Sequence, residues 1–335
     1  MGKKSAEEDY GADSIAVLEG LEAVRVRPGM YIGSTTRKGL NHMIYEIVDN
    51  SVDEHLAGYC DTIYVTLNND GSCTVTDNGR GIPVGMHAKG VSAERVVFTT
   101  LHAGGKFDHS VYKTSGGLHG VGSSVVNALS TYMDVEISRE GHIYHDRYEK
   151  GKPVLKLEKG LLPIIGDTKK TGTKITFLPD PTIFEKTRFK EDEIKSRLHE
   201  TAYLNPALTI IYDDNREGMD EHITFHEEDG LSGFIRDLNA NNEPVTDIVT
   251  LSGESDGIQV DVAFQFVNEF HENIMGFCNN IYNAEGGTHI TGFKTIFTTV
   301  INSYARTLGI LKDKDANFTG ADVRNGMTAV ISIKH

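Results

Sequence analysis

The chain has 335 residues, with 33 Lys and Arg against 48 Asp and Glu, giving a formal net charge of −15. That length is enough for a large buried core and predicts two domains, while the acidic balance excludes a general binder of nucleic-acid backbone or anionic membrane, which needs clustered basic surface. Cys60, Cys73 and Cys278 are odd in number and far apart, so neither a disulfide framework nor a zinc site is expected. With no leader-like apolar core and no run near ~18 apolar residues, the expectation is a soluble cytoplasmic protein.

Residues 1–13 are polar and read as an arm, in which Tyr10 has nothing local to pack on. Ser14 caps a helix over 14–27 that Pro28-Gly29 ends, and 29–33 reads as a turn. A longer helix follows over 39–58. Leu40, Met43, Ile44, Ile47 and Val48 recur at i, i+3, i+4, i+7 and i+8, one amphipathic stripe, with Gly58 as its stop. Its other face carries His42, Glu46, Asp49, Asn50, Asp53 and Glu54, and the stretch holds no Lys or Arg. Like charges at i, i+4 cost roughly 0.2 to 0.5 kcal/mol per pair. Read alone this is a solvated acidic face. However, His42, Glu46 and Asn50 fall four apart along the edge of the apolar stripe, where a carboxylate is half-buried and suits a cation brought from elsewhere.

Two strands over 62–67 and 72–77 are joined by Asn69-Asp70-Gly71, a hairpin signal. A helix over 93–101, a Gly-rich stretch and a helix over 121–129 come next. Strands are predicted over 133–138, 143–148, 154–157 and 173–177, then a helix over 191–204 and a strand over 208–212. The acidic run at 226–229 reads as a linker. Beyond it are a helix over 231–239, strands over 245–252, 258–267 and 273–279, a helix from about 292 to 308 and a strand over 328–333. The expectation is an arm (1–13), a two-layer α/β sandwich (14–228) and a smaller α/β domain (229–335) that stops on a strand and reads as truncated.

Three loops carry chemistry. Asp77-Asn78-Gly79-Arg80-Gly81 puts a carboxylate at a strand end before glycines two apart. By itself this fits an Asx-turn; it also fits a carboxylate accepting from an exocyclic amine such as adenine N6, with glycine backbone against the ring. Ser115 to Gly122, SGGLHGVG, runs into a helix N-terminus, where unpaired amides favour phosphate. It is neither a Walker lysine motif nor a Rossmann fingerprint. Lys106 and Lys113 lie just upstream, placed either for phosphates or as solvated surface. Thr171-Gly172-Thr173 opens a strand and is alone a common turn. Their combination in this order is what a nucleotide site assembled from separate elements requires.

In these motifs the chain resembles the ATPase regions of bacterial type II topoisomerases, those of DNA gyrase B subunits first and of topoisomerase IV beside them, within the wider Bergerat or GHKL class shared with heat-shock chaperones, mismatch-repair proteins and sensor histidine kinases. The resemblance spans nearly all of 14–335. It rests on RPGMYIG (27–33), EIVDNSVDE (46–54), DNGRGIP (77–83), LHAGGKF (101–107), SGGLHGVG (115–122), NNI (279–281) and EGGTH (285–289). It implies that the second domain is a transducer of ribosomal S5 domain 2-like fold. Glu46 would be the general base for the water attacking the γ-phosphate, with His42 orienting it, and Asn50 would ligate Mg²⁺. Asp77 would read adenine, with Thr173 supporting that contact through water. Gly81, Ile82 and Pro83 belong to the same nucleotide-binding segment. Gly117, Leu118, His119, Gly120, Val121 and Gly122 would wrap the phosphates of ATP, aided by Lys106, and Tyr112 would contact the nucleoside. Arg80 and Arg139 would rim the pocket, where aminocoumarin-type inhibitors bind in this family, and Arg80 would also pair with Glu54. Tyr10 would cap the partner's site in an ATP-dependent homodimer. The full-length enzyme would act on DNA with a gyrase A subunit in a heterotetramer.

Val26 stands where the family usually has a basic residue, Asn41 where a second histidine is common, and His55 where alanine is usual; none removes a catalytic group. The family's Q-T-K element, whose lysine reaches the γ-phosphate, is expected after His335, so the chain as given is expected to bind ATP better than it hydrolyses it. A histidine-kinase catalytic domain is disfavoured because no phosphoacceptor-histidine helix precedes the motifs, and Glu46 speaks against a non-hydrolysing sensor. Topoisomerase IV shares every ATP motif; the ending ISIKH favours gyrase.

Overall fold

The computed structural model of the protein describes residues 20–105, 114–116 and 120–335. Short helices α1 (Glu22–Val26) and α2 (Gly29–Ile32) lead into α3 (Arg37–Leu56). The chain then forms β1 (Thr62–Leu67), β2 (Cys73–Asp77), α4 (Ala93–Thr99), α5 (Gly122–Ala128), β3 (Ser130–Arg139), β4 (His142–Glu149), β5 (Lys152–Pro153), β6 (Ile164–Asp167), β7 (Gly172–Pro179), α6 (Glu191–Leu204), β8 (Thr209–Asp214) and β9 (Glu221–Phe225). These strands make one sheet in the order β5-β4-β3-β7-β2-β1-β8-β9, with β6 also on β4. Its pairs are antiparallel except β1 with β8. Alternation puts Ile63, Val65 and Leu67 of β1 and Val75 of β2 on the covered face. The apolar stripe of α3 packs on that face: Leu40, Met43 and Ile44 have no exposed surface, and Ile47 and Val48 are buried beside them. Ile194, Leu198 and Ala202 bring α6 into the same core. This is a two-layer α/β sandwich.

The second unit is smaller. It contains α7 (Leu231–Leu238), β10 (Val249–Ser255), β11 (Ile258–Phe266), β12 (Asn273–Cys278), β13 (Ile281–Tyr282), α8 (Thr288–Thr307), α9 (Gly320–Arg324) and β14 (Met327–Lys334). Its five strands run β10-β11-β14-β12-β13. The last strand in the chain is therefore central, antiparallel to β11 and parallel to β12, and Met327 to Ile331 are buried.

Several local expectations are corrected. The stretch after Pro28 is a helical turn, α2, because its amides bond back to Arg27 and Pro28 carbonyls. No strand forms over 154–157: the Leu155 carbonyl is taken by Arg95 Nη2 at 3.0 Å, and Val154 is exposed. The strands β6, β9 and β13 and the helix α9 are not expected from the sequence, being short or, like β9, polar on alternate positions. Residues 14–19 of the first predicted helix lie outside the described residues.

The helix α4 is seated over a buried polar cluster. Tyr148 Oη lies 2.8 Å from Glu94 Oε1 and 2.9 Å from Asp146 Oδ2. Asp146 already accepts two bonds from Arg95, at 2.9 and 2.7 Å, and one from the Arg147 amide. One hydroxyl proton cannot serve both carboxyls, so Glu94, fully buried, carries the second proton. Burial and the neighbouring Asp146 charge both hold its carboxyl well above the ordinary range. A folded-state pKa above the unfolded one means the native state binds more protons, so this group's stabilisation is complete at acid pH and falls as pH rises. Glu94→Gln keeps the hydrogen-bonded shape without the proton. It is expected to flatten the decline in unfolding free energy as pH rises above the ordinary carboxylate range, by up to about 1.4 kcal/mol per pH unit over the range where the group titrates. Urea unfolding across that range checks this; parallel curves for the two proteins would refute it.

Candidate functional site

The opposite face of α4 lines a cavity of about 1350 Å³ whose wall also includes residues of α3, the 77–83 segment, the start of α5 and the β12–β13 hairpin. The edge of α3 supplies its polar side. His42 Nε2 lies 2.9 Å from Glu46 Oε1, a contact that the four-residue spacing on one helix face makes available. The hydrogen bond to Glu46 raises the His42 pKa against the opposing effects of burial and Arg197. One turn further, Asn50 Nδ2 donates to Ser123 Oγ at 3.1 Å, which fixes the carboxamide's orientation. At the start of α5, a Cβ on Gly122 would sit 2.1 Å from Glu46 Oε2. Only glycine lets the loop come this close to the carboxylate.

Asp77 closes the other end of the cavity. Its Oδ1 accepts from the Gly79 amide at 2.9 Å and the Thr173 amide at 3.3 Å, and its Oδ2 accepts from Ser51 Oγ at 3.0 Å. The Asx-type bond to Gly79 and a position on the cavity wall thus coexist in one residue. Burial pushes the Asp77 carboxyl above its ordinary range, and these three hydrogen bonds pull it back. Thr173 lies beside it on β7, and Gly81, Ile82 and Pro83 line the wall between Asp77 and the rim.

Arg80 is held at the rim by Glu54, whose Oε1 accepts from Nη2 at 2.8 Å and whose Oε2 accepts from Nε and from the Arg80 amide, both at 3.0 Å. Its guanidinium also lies 4.1 Å from the ring centre of Tyr59. Arg139 Nη1 donates to the Gly81 carbonyl at 2.7 Å, bracing the same segment from β3. The predicted Glu54–Arg80 pair is therefore present. Gly120, Val121 and Gly122 lie on the wall. Tyr10, Lys106, Tyr112, Lys113, Gly117, Leu118 and His119 lie outside the described residues.

Sequence reasoning assigns Asp49 and Asp53 no role and does not single out Arg197. Asp53 is buried and its Oδ1 accepts from the Gly116 amide at 2.7 Å. Arg197 on α6 lies 3.8 Å from Asp49 and donates to the Asn280 carbonyl at 3.0 Å. The NNI motif is the one signal of this, since it marks the turn that Arg197 reaches. The unusual Asn41 is buried against α6, accepting from the Lys190 amide at 3.2 Å and donating to Glu193 at 3.1 Å. His55 Nδ1 lies 2.7 Å from the Cys60 carbonyl, away from the cavity wall, and Val26 is exposed.

Family models match both units of the chain. One described as histidine kinase-, DNA gyrase B- and HSP90-like ATPase matches residues 35–183, and one described as DNA gyrase B matches 230–335. The B subunit of DNA topoisomerase 4 from Staphylococcus aureus is 53% identical over 328 residues, 97% of this chain and 49% of its own length. That of Staphylococcus epidermidis is 52% identical over the same span. The chain thus spans about half the length of the curated relatives it matches. Among solved structures, the 43K ATPase domain of Thermus thermophilus gyrase B, in complex with an aminocoumarin, is 38% identical with a TM-score of 0.79, covering 93% of this chain and 80% of that one. The topoisomerase IV ATP binding domain of Francisella tularensis, in complex with a small-molecule inhibitor, is 34% identical with a TM-score of 0.76, covering 95% and 82%. With sequence identity, fold and the order of the motifs around one cavity in agreement, the chain belongs to the family of ATPase regions of bacterial type II topoisomerases, in their B subunits.

Proposed function

We propose that the protein is the ATP-operated clamp of a type II DNA topoisomerase, and that ATP binds in the α3 cavity with its adenine at Asp77 and its phosphates towards Gly122. The observation that carries this reading is the pairing of Glu46 with His42 on one wall, against which the Gly122 backbone packs, with a half-buried, hydrogen-bonded Asp77 on another. In this reading Glu46 takes the proton of the attacking water and His42 fixes its orientation. Phosphoryl transfer needs positioning and charge stabilisation more than covalent chemistry, which suits a site of this kind. Asp77 accepts the adenine N6 amine, supported by Thr173. Gly81, Ile82 and Pro83 pack along the nucleoside, and Arg80 and Arg139 form the rim that an aminocoumarin would meet.

The residues present also fit Mg²⁺. Among the described residues no cluster of three or more His, Cys, Asp or Glu could hold a metal, and a magnesium ion held chiefly by phosphates and water needs only one or two protein oxygens. Asn50, oriented by Ser123, would supply one. The ion, when bound, neutralises charge on the phosphates. The proposal extends to Gly117 through Gly122 as the phosphate wrap, Lys106 and Tyr112 as nucleotide contacts, and Tyr10 capping the partner's site across an ATP-dependent homodimer. It divides the chain into an arm (1–13), the nucleotide domain (14–228) and a transducer (229–335).

The full-length protein would work in the cytoplasm with an A subunit on DNA; among the described residues no helix is long and apolar enough to cross a membrane. The gyrase and topoisomerase IV readings differ in the reaction of the assembled enzyme. ATP-dependent introduction of negative supercoils by the full-length protein with its partner subunit would assign gyrase, and preferential decatenation would assign topoisomerase IV. ATP-independent behaviour in both assays would refute the clamp.

A further inference from the structure

The β12–β13 hairpin of the second sheet ends in a two-residue turn, with Cys278 paired to Ile281 and Asn279 and Asn280 both in left-handed backbone, at φ 49° and 67°. A two-residue hairpin of this hand requires positive φ at both positions, which asparagine tolerates better than most residues. The turn faces the other sheet's machinery. Asn279 Nδ2 donates to the Ser115 carbonyl at 2.9 Å. That carbonyl and the Gly116 amide belong to one peptide group, and the amide donates to Asp53 Oδ1 of α3 at 2.7 Å. A single peptide plane at the entry to the glycine loop is thus gripped from both ends, by α3 on one side and by the second sheet on the other.

The fit is close. A Cβ on Gly116 would lie 2.9 Å from the Asn279 carbonyl, so the loop passes against the turn with no room for a side chain. The turn is itself fixed from three further directions. Asn279 Oδ1 accepts from the His335 amide at 2.8 Å, Asn280 Nδ2 donates to Asn205 Oδ1 at 3.2 Å, and the Asn280 carbonyl accepts from Arg197. Ile281 and Tyr282, which follow, stand on the cavity wall.

We propose that Asn279 is a positioning residue for phosphoryl transfer: by holding the Ser115 carbonyl it makes the orientation of the Ser115–Gly116 peptide, on the wall of the nucleotide cavity, depend on the placement of the second sheet. This rests on the reading of the cavity as an ATP site. The mechanism is geometric. The gripped peptide includes Gly116, which itself stands on the cavity wall, and a displacement near 1 Å at a reacting group can cost about a hundredfold in rate. A hydrogen bond serving only to glue the two units together would alter stability and leave the saturated rate unchanged.

The test uses the full-length protein. Asn279→Asp keeps the shape and the left-handed backbone but puts an acceptor where the Ser115 and His335 carbonyls need a donor; Asn279→Gly keeps the backbone and removes the amide. Both are expected to lower kcat for ATP about tenfold or more, with the unfolding midpoint of the nucleotide-free protein retained. Folded variants with wild-type kcat would overturn the proposal. Failure of both variants to fold would make Asn279 a structural residue only and overturn it as well. If the wild-type protein does not bind the β,γ-imido analogue of ATP, the nucleotide reading falls and this inference falls with it; wild-type binding with variants at full kcat removes this inference alone.

Discussion

Glu46→Ala in the full-length protein is expected to lower ATP turnover by about 10²- to 10⁴-fold, the usual worth of a positioned general base, while nucleotide binding is retained. The expectation follows from where the carboxylate sits. Glu46 is on a half-exposed edge of α3, outside the buried stripe, so truncation removes no core packing and creates no unpaired buried group. Its Oε1 is paired with His42, and its Oε2 faces the position where a Gly122 side chain would be. On the proposed reading, this carboxylate, held between an imidazole and a glycine backbone, takes a proton from water beside a phosphate. A second readout separates this from general disruption. The hydrogen bond to Glu46 is the largest cause of the raised His42 pKa, so the His42 ring is expected to titrate at lower pH in Glu46→Ala, as NMR of the ring protons would record. Unchanged ATP turnover in a folded variant would remove Glu46 from the mechanism.

Asp77→Asn is expected to weaken ATP binding about 10- to 100-fold, the cost of leaving a polar group mispaired beneath a bound ligand. Oδ1 faces two backbone amides, from Gly79 and Thr173, so the asparagine oxygen must stay there. The new amino group then takes the Oδ2 position, where the Ser51 hydroxyl can turn to accept from it. Towards the ligand this replaces an acceptor by a donor. ATP, with its own N6 donor, loses its partner, whereas a nucleotide with a carbonyl at that position, such as inosine triphosphate, gains one. Calorimetry should therefore show a large loss for ATP and a small loss or a gain for the inosine nucleotide; equal losses for both would argue against adenine reading at this residue. Unfolding does not account for the expected loss. Burial raises the Asp77 pKa, so the charged carboxylate costs native stability as pH rises above its unfolded value, and a neutral side chain lifts that cost.

Much of the α3 site is legible in one dimension because its determinants are local. The spacing of Leu40, Met43, Ile44, Ile47 and Val48 dictates a helix and which face it buries, and the same period places His42, Glu46 and Asn50 along the adjoining edge. The α6 helix is legible over its observed span, Glu191–Leu204, because three acidic residues open its first turn and its apolar residues keep helical spacing. The 154–157 run misleads for the opposite reason. Its composition suits a strand, but a guanidinium from α4 takes a carbonyl that a neighbouring strand would need.

What the sequence determined by itself is therefore the helix that carries Glu46, the strand end that carries Asp77, the glycine segments and the sandwich that combines them. The pairing of Glu54 with Arg80, 26 positions away, is implied by the resemblance, but the other long-range contacts were decided only in three dimensions: Asp53 meets Gly116, 63 positions away, and Ser115 meets Asn279, 164 away. No helical or strand period links residues at such separations. They are brought together by the order of strands in two sheets and by the packing of α3 and α6 on the first of them. The same acidic residues that would weaken an isolated helix are stabilised here because the fold delivers a guanidinium and a backbone amide to the carboxylates of Glu54 and Asp53.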